Sequence, residues 1–169
     1  MSINWPEGTQ TLPSKVIQVV STNYTGVHSM SGSYSTVSGL STNITMEVSS
    51  NRILCIVHMG VLSYNGNTVT LDLQRNGVSF YQGNASNSRP RISHRSDGRR
   101  SGDNNHGFGV VCIGYDAPNT TSTRTYTVRM NGEGSNQTGY VNRTMNDLNT
   151  SSQNGARTAS SMTLIEYQP

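Results

Sequence analysis

The segment Val69-Thr70-Leu71-Asp72-Leu73-Gln74 alternates apolar and polar residues strictly, and Asn76-Gly77 follows it before Val78, Phe80 and Tyr81. A period of two sends successive side chains to opposite faces of a pleated strand. Asn-Gly between two such runs is the strongest short-range hairpin signal, because both residues tolerate the positive φ of a type I′ turn. With Arg75 beside the pair the loop is of two residues or of three or four, and with either choice this stretch of the chain is committed to antiparallel β structure.

The same period recurs along most of the sequence. Val16 to Val20 is a β-branched run. Residues 21–41 read as a loop followed by an edge strand near Ser33 to Leu40, and Ile44, Met46 and Val48 alternate with Thr45 and Glu47. Arg52 to Leu62 is apolar on both phases through Ile53 to Val57, the pattern of a central strand with both faces covered. Further strands are expected at Phe108 to Tyr115, Thr125 to Met130, Tyr140 to Thr144 and Ala159 to Tyr167, the last in a central place. No convincing helix interrupts them. The expectation is an all-β, antiparallel, jelly-roll-like sandwich of nine or ten strands, with residues 15–169 as a single domain.

Strict alternation also assigns faces. Ile53, Cys55, Val57, Leu71, Leu73, Val110, Cys112, Val128 and Ile165 are expected in the core, and Asp72, Gln74, Thr127 and Arg129 toward water or a partner. Cys55 and Cys112 each lie inside an apolar run. Two reduced thiols packed as small hydrophobes are favoured there over a cross-strand disulfide.

Composition narrows the class. Charged residues are 12% of the 169, against about 25% in an ordinary domain, and the formal net charge is only +3. Low charge of this kind argues against a disordered tail. Met1 to Glu7 has neither the cationic nor the apolar region of a secretory leader, so such a leader is expected to be absent or already removed. No run approaches the 18 or so apolar residues of a membrane span, and no membrane insertion is expected.

The chain carries no glycine-rich phosphate loop, since Gly107-Phe108-Gly109 precedes a strand, and no nucleophile elbow or paired carboxylates. His94, His106, Asp97 and Asp103 lack metal-ligand spacing, so neither a metal nor a cofactor is expected. His28 reads as an exposed loop residue, and His58 as a packed or interface histidine. The expectation is a protein without catalytic residues.

Residues 83–106 are a long polar excursion that concentrates Arg89, Arg91, His94, Arg95, Arg99 and Arg100. Loops of this length in compact domains tend to be functional or disordered. Without interleaved aromatics the cations do not suit nucleic acid. They suit an acidic polysaccharide or a neighbouring protein, with a merely solvated loop as the alternative. Residues 1–14, broken by Pro6, Gly8 and Pro13, read as an N-terminal arm, either a frayed terminus or a docking segment whose Trp5 seats on a neighbouring subunit.

The segments Lys15 to Ser21, Ser38 to Thr45, Ser50 to Leu54, Leu73 to Gly77 and Gly155 to Thr163, taken in order, resemble small tail-fibre and other virion structural proteins of tailed phages, marine cyanophages especially. The hairpin ending in Arg75-Asn76-Gly77, the Phe108-to-Tyr115 strand and the apolar last strand resemble, more distantly, the trimeric jelly roll of the tumour-necrosis-factor and complement-head class. These resemblances imply a virion protein (bacteriophage fibre, fibre tip or capsid decoration) that assembles with itself as a homotrimer and with other virion proteins. They imply a host-surface polysaccharide as a further partner. A free-standing carbohydrate-binding jelly roll, with Tyr24, Tyr34, Tyr64 and Tyr81 as an aromatic platform, is the competing reading.

Overall fold

The computed structural model describes residues 15–31, 34–65, 68–97, 107–132 and 138–169, without the side chain of Asp97. Eleven strands and one 3-10 turn account for the regular structure among them. The strands form two antiparallel sheets that face each other across an apolar core, a jelly-roll-like sandwich.

The first sheet is organised by β4 (Arg52–Tyr64). On one edge β4 pairs with β11 (Ser160–Gln168), which pairs in turn with β1 (Lys15–Tyr24). On its other edge it pairs with β8 (Phe108–Asp116). Beyond the end of β11, the last three residues of β4 are taken up by β10 (Thr138–Val141), which continues to β2 (His28–Ser31). The last strand therefore lies between an early strand and the longest one, as its apolar character predicts.

The second sheet runs β3 (Ser35–Ile44), β9 (Arg124–Gly132), β5 (Thr68–Arg75). The free edge of β5 is taken by β6 (Val78–Ser79) and then β7 (His94–Asp97). Arg75 pairs with Val78 and Gln74 with Ser79, and both Asn76 (φ 50°) and Gly77 (φ 78°) are left-handed. This is the two-residue hairpin that the Asn-Gly pair predicts.

Ile53, Cys55, Val57, Leu71, Leu73, Val110, Cys112 and Val128 are all buried. Cys55 and Cys112 are free thiols within that core. One ionic network sits at its margin, where Arg75 Nη1 donates to both carboxylate oxygens of Asp116 at 2.7 Å and Tyr126 Oη donates to Asp116 Oδ2 at 2.7 Å.

Four expectations are corrected. Ile165 is only half-buried and faces outward, while Glu166 beside it is fully buried. Met162, Leu164 and Glu166 form the inner face of β11, and the glutamate is accommodated by donors. Gln18 Nε2 and Asn51 Nδ2 each reach it at 2.6 Å, and the Glu47 and Val48 amides at 3.0 and 3.5 Å. A bulge in β1 between Val16 and Gln18 turns Gln18 toward that carboxylate and leaves Val16 and Val19 both outside.

Asp72 and Gln74 are also buried, on the outer side of the second sheet and away from the core. The excursion after the hairpin covers them. Asp72 accepts from Arg129 Nη2 at 2.8 Å and Gln82 Nε2 at 3.3 Å, and Gln74 Nε2 donates to the Gly77 carbonyl.

His28 is a half-buried strand residue and not an exposed loop residue, with Nε2 2.9 Å from Ser35 Oγ. Burial lowers its pKa from the ordinary 6.5. Finally, Ile44 ends β3, so the strand expected through Met46 and Val48 is a turn that supplies the amides for Glu166.

Candidate assembly face and basic excursion

The apolar pattern of β4 on both phases predicts two covered faces, but the described chain covers only one. Leu54 and Ile56 point out of the sandwich and are half-buried. Most of their cross-strand neighbours are apolar as well, the exceptions being Thr163 opposite Ile56 and Ser21 opposite Thr163, whose hydroxyls bond each other at 2.9 Å. Leu54 lies between Tyr115 of β8 and Ile165 of β11, and Ile165 in turn pairs with Val19 of β1. Ile56 pairs with Ile113, and Tyr167 stands opposite Val16. Val19 is 57% exposed, Val111 55%, Tyr115 47% and Ile113 45%.

Strands about 4.8 Å apart and same-face rows about 7 Å apart make the apolar part of this face roughly 300 Å². That is in the range of the largest apolar patch on a typical monomer, about 300–600 Å², which is often functional. Polar groups flank it, with His58 between Val111 and Ser161 at one end and Arg52 at the other. His58 is thus an exposed face residue. Met30, Met46, Met59, Met130 and Met162 are buried and take no part in this face.

The excursion leaving β6 is internally tied. The Gly83 amide donates to the Ile92 carbonyl at 3.2 Å, Arg91 Nε donates back to the Gly83 carbonyl at 2.7 Å, and Gln82 Nε2 reaches the Arg91 carbonyl at 2.9 Å. Ser93 takes over a ladder position on β5, accepting from the Leu73 amide and donating to the Phe80 carbonyl. The described part is a clamped flap.

Its cations divide by role. Arg91 is used on Gly83, and Arg89 Nη1 donates to Ser86 Oγ at 2.8 Å. Arg95, exposed on β7, donates to Thr68 Oγ1 at 3.1 Å and lines a groove of about 330 Å³ with Thr68, Thr70, Pro90, Ile92 and Asn131. His94 is half-buried opposite Leu71. Arg99, Arg100 and Trp5 lie outside the described residues. The structure brings Arg89, Arg91, His94 and Arg95 onto one flap, and Arg95 to the groove described above.

The tyrosine platform does not assemble from its four members. Tyr64 is buried, and the guanidinium of Arg129 lies 3.9 Å over the ring of Tyr34. Tyr24 packs over Gly26 and Gly39, and Tyr81 meets Tyr115 edge-on with centroids 6.0 Å apart. Among the described residues, no group of three or more His, Cys, Asp or Glu gathers as a metal ion requires. No helix among them is long and apolar enough to cross a membrane.

No family model matches the chain, and no curated protein does. Among solved structures it is similar to that of infectious bursal disease virus Gt strain, at 11% identity and a TM-score of 0.46, over 100% of this chain and 42% of that one. T=1 particles derived from the same virus match at 12% identity and a TM-score of 0.47, over 99% of this chain and 40% of that one. The VP2 subviral particle of that virus matches at 14% and 0.42, over 99% and 42%. The chain thus spans about two fifths of the length of the chains it matches.

These matches correct the resemblance to phage tail-fibre proteins. The solved structures named above are of infectious bursal disease virus and not of a bacteriophage, which overturns the phage and tail-fibre expectation. The reason lies in the segments that carry the resemblance. Lys15 to Ser21 falls in β1, Ser38 to Thr45 in β3 and its exit, Ser50 to Leu54 at the entry to β4, Leu73 to Gly77 at the hairpin, and Gly155 to Thr163 at the entry to β11. Strand and turn geometry dictates residues at such places in any sandwich with this order of elements. The more distant likeness to the tumour-necrosis-factor and complement-head class rests on strand order alone and is set aside with it.

Proposed function

We propose that this chain is a non-enzymatic structural domain of a virus particle that assembles with copies of itself, as a homotrimer, through the outer face of β8, β4, β11 and β1. The observation that carries the self-association is that face. An apolar surface of roughly 300 Å² is somewhat over a third of the roughly 800 Å² that one partner contributes to a standard interface, enough for its dry centre. Around a three-fold axis, one side of this face meets the other side of a neighbour's, and the ring closes without an open end. Trp5 belongs to the same reading, as an anchor on a neighbouring subunit or another virion protein.

Contact with an acidic host-surface polysaccharide is the second half of the proposal. It is supported by the clamped flap, which Arg89 and Arg91 brace and which holds Arg95 beside a groove. The particle assignment is tested by whether the chain co-sediments with purified virus particles and stays with them through a second gradient. Recovery only as free protein at the top of the gradient overturns it.

A further inference from the structure

We infer that the groove beside Arg95 is a subsite for one carboxylated sugar residue of an acidic polysaccharide, with Arg95 holding the carboxylate. The inference rests on the host-surface half of the reading above and gives it a location.

The register of the second sheet builds the site. Arg95 on β7 pairs with Thr70 on β5, and Thr70 pairs with Asn131 on β9, so the three lie in one row on the outer face. Thr68 joins them two residues along β5 and accepts from Arg95 Nη2 at 3.1 Å. Thr70 Oγ1 in turn contacts the Asn131 carbonyl at 3.4 Å. Pro90 and Ile92 of the flap supply the remaining wall.

Each component matches one feature of such a sugar. A guanidinium is a planar fork that fits a carboxylate with two parallel hydrogen bonds. Threonine hydroxyls and an asparagine amide both donate and accept, as sugar hydroxyls require. Pro90 and Ile92 offer apolar surface to the C–H face of a pyranose. The volume of about 330 Å³ is at the small end for ligand sites, which suits a single residue of a chain entering and leaving. The six lining residues include no aromatic ring on which a nucleobase would stack. Arg89 and Arg91 are not at this groove; their bonds to Ser86 and Gly83 hold the flap.

The test uses the full-length chain and three probes: trigalacturonate, its neutral methyl ester and inorganic sulfate. Binding is measured by calorimetry, and amide chemical shifts locate it. Trigalacturonate is expected to bind saturably and to shift Thr68, Thr70 and Asn131. Arg95→Met is expected to weaken it about tenfold or more, the loss of one charged hydrogen-bonding partner. Asn131→Asp should weaken it comparably by placing a second anion in the groove. Arg89→Met should change it less than about threefold, with thermal unfolding of all variants matching the parent. Three results overturn the inference. If Arg95→Met binds like the parent, the site is wrong and polysaccharide contact itself stands. If the methyl ester or sulfate competes as well as the acid, the groove does not select a carboxylated sugar. If the parent binds no trigalacturonate, the subsite fails and the host-surface reading loses its support.

Discussion

Ile165 of β11 lies directly opposite Leu54 of β4, and both side chains point out of the sandwich, away from the core their strands help to build. Burial on the inner face is already met by Met162, Leu164, Cys55 and Val57. The outer pair, continued by Tyr115 and Val19 on either side, is the part of the face that the proposed self-association would cover.

Glu166 makes the stability of the fold depend on acid. Burial pushes its carboxyl up, but the donors from Gln18, Asn51, Glu47 and Val48 outweigh burial and hold it below its ordinary value of 4.5. A depressed folded-state pKa contributes stability that is complete above the unfolded value and is lost as pH falls through the folded one. The parent is therefore expected to lose stability below about pH 4.5. Glu166→Gln, which turns an amide N–H₂ toward existing donors, should be less stable at neutral pH by about 1.5–3 kcal/mol. It should also show a shallower acid limb. Urea midpoints from pH 3 to 7 measure both; equal slopes for the two proteins would dissociate the acid limb from this carboxylate.

The two thiols should be inert in the folded chain. Burial, with Cys112 and Asp116 nearby, raises Cys55 to about 12, and burial with Asp72 nearby raises Cys112 to about 11. The thiolate is the reactive form, so a thiol reagent at pH 8 should leave both unlabelled until denaturant is added. Prompt labelling of either in the native protein would contradict their place in the core.

Asp72 ties the flap to the sheet, through Gln82 on one side and Arg129 on the other. Asp72→Ala should destabilise the chain by about 1–3 kcal/mol, because it strips the carboxylate from a largely buried guanidinium. Limited proteolysis should then cut within residues 83–92 faster than in the parent. Unchanged cleavage would show that the ladder bonds of Ser93 hold the flap without Asp72.

Strand alternation and turn residues made the fold legible: the hairpin at Asn76-Gly77, the central β4 and the inner faces of β5 and β8 all follow from local pattern. The misassigned faces have one physical cause. Ile165 against Glu166 reads as an ordinary dry and wet pair, and it inverts because distant residues, Gln18 and Asn51, supply donors inside. Asp72 and Gln74 are likewise covered by a segment whose polarity gives no sign that it lies back on the sheet. The basic side chains of the excursion were visible in the sequence. That Arg95 meets a groove while Arg89 and Arg91 brace the loop depends on pairing register and was not.

Association through the outer face is tested most directly by sedimentation velocity of the parent beside Ile113→Asp and Val19→Asp, at opposite sides of that face. Both substituted positions are about half exposed in the single chain, at 45% and 57%, so the variants should fold with unchanged thermal midpoints. The parent is expected to sediment as one species of three chains across micromolar concentrations, and each variant as the 18.3 kDa monomer. A parent that is monomeric throughout, or variants that assemble as the parent does, would contradict the assembly face.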